Sequence, residues 1–84
     1  MEKVTAVCPV EDFHLEVTFS DGQIRRFDMR PYLNRGVFTR LTDPALFAQA
    51  YVDFDTVCWP ENLDIAPETL YLRSIPIYPI AASN

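Results

Sequence analysis

From His14 to Phe19 hydrophobic and polar residues alternate without a fault. Leu15, Val17 and Phe19 fall on one side, and His14, Glu16 and Thr18 on the other. A period of two marks a strand with one buried face. Ser20-Asp21-Gly22-Gln23 then reads as a hairpin turn, with Gly22 free to take positive φ. Ile24 to Met29 is the return strand. Phe27 and Met29 share its apolar face, while Ile24 is out of phase, which points to a bulge near Arg25 or an apolar contact on the second face. Ahead of this hairpin, Lys3 to Cys8 is short, β-branched and ended by Pro9. Three strands in succession make an antiparallel meander.

The period changes in the middle of the chain. Pro31-Tyr32-Leu33 reads as one helical turn opened by proline, and Gly36 as its left-handed cap. Val37, Phe38 and Leu41 share one face of a further turn. Asp43-Pro44 is a helix start, with Asp43 as N-cap, and the helix buries Leu46, Phe47 and Ala50. Tyr51 to Phe54 and Thr56 to Trp59 are short strand pieces broken near Asp55. Pro60-Glu61-Asn62 is a turn, Leu63-Asp64-Ile65 is extended, and Ala66 to Tyr71 opens a last helical turn with Pro67 at its start. The fold class expected is α+β: a small antiparallel sheet (a three-stranded meander plus short extra strands) with two or three short helices. The tryptophan segment is expected to pack back onto the sheet. One domain spans 1–74, and 75–84 is an apolar tail. Pro76 and Pro79 suit that tail to edge or polyproline-like geometry rather than a central strand.

Composition adds limits. With 84 residues, 49% of them hydrophobic, the chain can build one compact core of modest size. Two glycines against seven prolines make stiff loops and leave no glycine-rich phosphate cradle. Met1-Glu2-Lys3 leads straight into a strand, so no signal peptide is expected, and no run of residues is apolar enough for a membrane helix. The expected location is cytoplasmic. Cys8 and Cys58 lie in apolar strand-like runs and are expected as free thiols that act as small buried hydrophobes. The net charge of −5 disfavours binding to phosphate backbones, so direct nucleic-acid binding is not expected. The charge is unevenly placed. Arg25, Arg26, Arg30, Arg35 and Arg40 form a basic stretch, whereas Asp43, Asp53, Asp55, Glu61, Asp64 and Glu68 make the second half of the chain acidic. Such a dipolar chain either carries a solvated mosaic surface or docks a partner's acidic face, including that of another copy.

Candidate chemistry is sparse. His14 is the single histidine and sits on the polar face of a strand, so it is expected as a solvated surface residue rather than a base. Asp53 and Asp55 fall on one face of an extended backbone. With Asp64 or Glu68 nearby they would offer oxygen ligands to a cation, but they are expected instead as a polar strand face, with Glu68 a first-turn acid at a helix N-terminus. Trp59 is expected in the core rather than as a ligand platform. Asp64 and Thr69 are expected to satisfy local backbone donors. No metal and no cofactor is expected.

The elements Leu15-x-Val17-x-Phe19-x-Asp21-Gly22, Phe27-Asp28-Met29, Phe38-x-x-Leu41-x-Asp43 and Trp59-Pro60 precede a closing Asp64-Ile65-x-Pro67-Glu68-x-Leu70-Tyr71. With this signature the chain resembles the bacterial domain-of-unknown-function 2442 family over about Val4 to Leu72. Asn62 stands where glycine is common in that family, and the stretch from Ile75 to Asn84 lies beyond the family pattern. The resemblance implies a small α+β fold with an antiparallel sheet and supplies no catalytic residue. Members encoded beside another small protein have prompted a toxin–antitoxin proposal, and this chain lacks the helix-turn-helix that some longer members carry.

The expected function is therefore non-enzymatic: a protein-binding or regulatory module, antitoxin-like in a two-protein system. It would dock through Arg25, Arg26, Arg30, Arg35 and Arg40, through a sheet edge, or through Ile75, Ile77, Tyr78 and Ile80 of the tail, which would otherwise pack on their own domain or form a homodimer seam. The alternative is a small-molecule or cation-binding module around Trp59, Asp53, Asp55 and Asp64. A hydrolytic enzyme relying on His14 ranks behind both.

Overall fold

A computed structural model describes residues 2–78. The expected meander is present: β1 (Val4–Val10), β2 (His14–Phe19) and β3 (Ile24–Asp28) pair antiparallel in chain order. In β2 the alternation read from the sequence becomes alternation of burial, with Leu15, Val17 and Phe19 facing the core. Gly22 turns the hairpin at φ +88°. β3 ends in Asp28, and 3-10 segments at Arg30–Tyr32 and Gly36–Thr42 follow, with Gly36 at φ +50°. Asp43 caps α1 (Pro44–Phe47) by accepting a hydrogen bond from the Ala45 N–H.

The Trp59 segment forms a sheet of its own. β4 (Tyr51–Asp53), β5 (Thr56–Trp59) and β6 (Leu63–Ile65) pair antiparallel in that order. β5 is buried along its whole length. α2 (Pro67–Leu72) then leads to β7 (Ile75–Tyr78), which pairs with β3. The larger sheet thus has four strands in the order β1-β2-β3-β7. The first four residues of the proline-containing tail extend it, with Pro76 on an edge strand, the position that tolerates a residue without an N–H. The irregularity expected near Arg25 falls there too. The β3–β7 register shifts between Ile24 and Arg25, while the β2–β3 register runs unbroken.

Between the two sheets and the short helices lies one core of Leu15, Val17, Phe19, Phe27, Met29, Leu41, Phe47, Val57, Trp59 and Leu70, with Val4, Leu63 and Ile65 at its margin. Three hydrogen bonds explain the family-like signature as scaffold. The Trp59 indole N–H donates to the Phe47 carbonyl at 3.0 Å, tying β5 to α1 inside the core. The Tyr71 hydroxyl donates to Asp21 Oδ2 at 2.7 Å and accepts from Gln23 Nε2 at 2.9 Å, tying α2 to the β2–β3 turn. Asp21 answers by holding the Tyr71 hydroxyl above its ordinary pKa.

Backbone strain is concentrated at three turns. Asp12 and Phe13, Phe54 and Asp55, and Glu61 and Asn62 all take positive φ without being glycine. Asn62 is a residue type that accepts this region; Phe13 and Phe54 are not. Phe54 and Asp55 form the two-residue loop of the β4–β5 hairpin, where positive φ at both positions matches the twist of the strands. One expectation about this loop fails. Asp55 turns out of the strand, so strand alternation does not place it beside Asp53.

Candidate functional site

The four-stranded sheet covers the core with one face only. On its other face β1 contributes Ala6, Cys8 and Val10, β2 His14, Glu16 and Thr18, β3 Arg26 and Asp28, and β7 Ile75. None of these residues is buried. Cys8 was expected inside. A register shift between Val4 and Ala6 re-phases β1, and Cys8 pairs with Glu16 on the outward face as an exposed free thiol. Cys58 is buried as expected, and burial, followed by the charges of Asp64 and Asp53, pushes its thiol pKa up.

Where β3 meets β7 this face holds a cleft of about 210 Å³, lined by His14, Arg26, Asp28, Arg73, Ile75 and Ile77. Asp28 sits at one end, saturated by Arg30: it accepts from the Arg30 backbone N–H at 2.9 Å, from Nε at 3.0 Å and from Nη2 at 3.0 Å. The Arg30 hydrogen bond is the main reason the Asp28 carboxyl titrates below its usual range, with the charge of His14 adding to it. The His14 Nδ1–H donates to the Asp12 carbonyl at 2.9 Å, which turns Nε2 toward Asp28 Oδ1 at 3.8 Å. The His14 side chain keeps only 19% of its exposure. It was expected as a solvated residue; instead it lines the cleft and is largely covered.

Arg26 reaches Glu16 Oε2 at 2.9 Å and lies 3.9 Å from Glu11, yet its Nε is buried without a hydrogen-bond partner among the described residues. Arg73 has no carboxylate within ion-pair distance among the described residues. Ile75 and Ile77 wall the cleft, with 71% and 37% of their surface exposed.

The arginines read as a basic docking strip are mostly engaged at home. Arg25 points to the opposite face from Arg26, where it donates to Ser74 Oγ at 2.7 Å, to the Ser74 carbonyl at 2.8 Å and to Gln23 Oε1 at 2.7 Å, with its guanidinium 4.6 Å from the Tyr71 ring centroid. Arg30 bridges Asp28 and Asp12, and Arg40 reaches Glu61 at 3.2 Å. Arg35 lies 5.3 Å over the Tyr32 ring. Of the tail residues, Ile75 and Ile77 stand beside Arg26 and Arg73; the backbone of Tyr78 ends β7, and Ile80 lies outside the described residues.

Of the alternative ligand site, Trp59 and Asp64 share the lining of a shallow groove of about 140 Å³ with Tyr51, Phe54, Cys58, Asn62 and Leu63, whereas Asp53 and Asp55 do not line it. Asp53 accepts from the Phe54 N–H at 2.9 Å, and Asp55 lies 4.0 Å from Lys3. No group of three His, Cys, Asp or Glu side chains that could hold a metal ion occurs among the described residues. Asp64 is exposed, and neither it nor Thr69 makes the local side-chain hydrogen bond expected of it among the described residues. A further hollow of about 240 Å³ beside the β1–β2 turn carries only Glu11 and Asp12 as charged lining.

Among the described residues no helix is long and apolar enough to cross a membrane. No curated protein and no solved structure matches the chain. One family model does, over residues 4–76, and its span takes in the first half of β7 as well as the meander and the Trp59 sheet. The match covers most of the 84 residues and agrees with the signature that Trp59 and Tyr71 anchor in the fold: the chain belongs to the protein family of unknown function DUF2442.

Proposed function

We propose that the protein is a non-enzymatic binding module of the bacterial cytoplasm, whose docking surface is the outward face of the four-stranded sheet at its β7 edge. The observation that carries this reading is the pair Ile75 and Ile77, exposed side by side on an edge strand and flanked by Arg26 and Arg73. Apolar side chains left in water at a sheet edge, with an arginine lacking a carboxylate partner beside them, are the composition of an interface rather than of a solvated rim. Of the basic residues singled out from the sequence, Arg26 belongs to this surface; Arg25 serves the fold. A regulatory pair in which this chain covers a partner's functional surface, as an antitoxin covers its toxin, is the arrangement the reading implies.

The test is affinity capture of the tagged protein from its native cells, with nuclease treatment, followed by mass spectrometry. A single near-stoichiometric protein is expected. A bait that recovers neither another protein nor untagged copies of the chain, under conditions where it is folded, contradicts the proposal.

A further inference from the structure

Phe54 is the largest departure from ordinary physics on the surface. It is 83% exposed and holds φ +50° at the tip of the β4–β5 hairpin. A bulky residue gains nothing in that backbone region, where Asn or Gly is favoured, and a phenyl ring in water contributes no burial. Its neighbours Asp53 and Asp55 make the tip an apolar knob between two carboxylates, and the Asp53 carboxylate and the Asp55 carbonyl fix its shape by accepting from the N–H groups of Phe54 and Val4. Strain held at an exposed aromatic points to a contact made outside the chain.

The cleft at β7 has the matching features: isoleucine walls, a volume that admits one aromatic side chain, and in its lining the cation of Arg73, which has no carboxylate within ion-pair distance among the described residues, whereas Arg26 is already held by Glu16 and Asp28 by Arg30. We infer that the Asp53-Phe54-Asp55 tip of one copy docks into the Ile75–Ile77 cleft of a second copy, with its carboxylates against Arg73. The inference rests on the docking surface proposed above and names a second copy as its occupant. The Asp55 carbonyl is bonded to Val4 on β1, at the opposite edge of the sheet order from β7, so each copy offers its knob and its cleft at different edges. The contact is head-to-tail, and association proceeds beyond a dimer unless it closes into a ring.

Sedimentation velocity on the full chain, from about 10 μM to about 1 mM, tests this together with three variants. Wild type is expected to grow in mass with concentration. Phe54→Asn is expected to melt no lower than wild type yet to associate at least tenfold more weakly, because it removes the knob while suiting the turn. Arg73→Glu and the double variant Asp53→Lys/Asp55→Lys are each expected to stay monomeric, and their equimolar mixture to associate again, since each then meets an oppositely charged surface. A wild-type chain that stays monomeric at the highest concentration overturns the inference, as does association unchanged in Phe54→Asn or a mixture that stays monomeric. Recovery of a different protein in the capture experiment would still uphold the docking surface, so the two failures are separable.

Discussion

The two sheets treat exposure in opposite ways. In the Trp59 sheet the central strand β5 is buried at all four positions, and exposure is left to the edge strands and turns, at Tyr51, Asp53, Phe54, Asp55, Glu61, Asn62 and Asp64. In the larger sheet a whole face is left outward, and β2 at its centre alternates buried and half-buried residues. The Trp59 part of the signature therefore belongs to a strand with no surface to offer. A signature built on Trp59, Leu70 and Tyr71 describes how this domain closes its core, and the surface able to meet a partner is written in less distinctive residues such as Ile75, Ile77 and Arg73.

The sharpest way to break this comparison is to empty the Trp59 sheet. Trp59→Ala deletes a fully buried indole and its hydrogen bond to Phe47, an expected loss of about 3–5 kcal/mol by urea unfolding followed by circular dichroism. That is comparable to all that a small domain has in reserve, so the variant is expected to be largely unfolded at 37 °C. Arg25→Met tests the inward side of the larger sheet. It strands the Ser74 carbonyl and Gln23 Oε1, and a loss of roughly 1–3 kcal/mol is expected in the same assay.

Smaller effects sharpen the contrast between scaffold and surface. Phe54→Asn relieves a left-handed phenylalanine without touching the core and is expected to gain up to about 1 kcal/mol. Arg73→Gln changes an exposed residue of the cleft and is expected to leave stability within about 0.5 kcal/mol of wild type.

Acid titration probes the cleft end of the same face. The folded-state pKa of Asp28 is depressed, chiefly by the Arg30 hydrogen bond, so its contribution is present above the unfolded carboxylate range and is lost as pH falls through the lower folded value. Melting temperatures from about pH 5 down to about pH 2 are expected to fall less steeply in Asp28→Asn than in wild type. Part of the Asp28 side chain faces water, so the difference is modest.

Local chemistry was legible wherever one residue settles a turn or a cap. Gly22, Gly36, Asp43 and Asn62 all do what their types suggest, and the alternation of β2 was plain in the chain. Non-local pairing was not. Nothing near Ile75 announces β3 as its partner, and a strand containing proline carries no central-strand signal, although an edge accepts it. Alternation alone likewise leaves His14 in water, whereas its ring turns back onto the Asp12 carbonyl and lines the cleft. Cys8 was misplaced because a single register shift near Thr5 moves its side chain to the other face. Arg25 and Arg26 looked alike in sequence, and only the position of Ser74 and Tyr71 separates a fold-holding arginine from one at the cleft.

The outward face at β7 is tested most directly by capture from native cells with two baits, wild type and Ile75→Lys/Arg73→Glu. Their melting temperatures are matched first, so that both baits are equally folded. A docking surface at this edge predicts one protein recovered with wild type and lost with the variant. Equal recovery by both baits would contradict it.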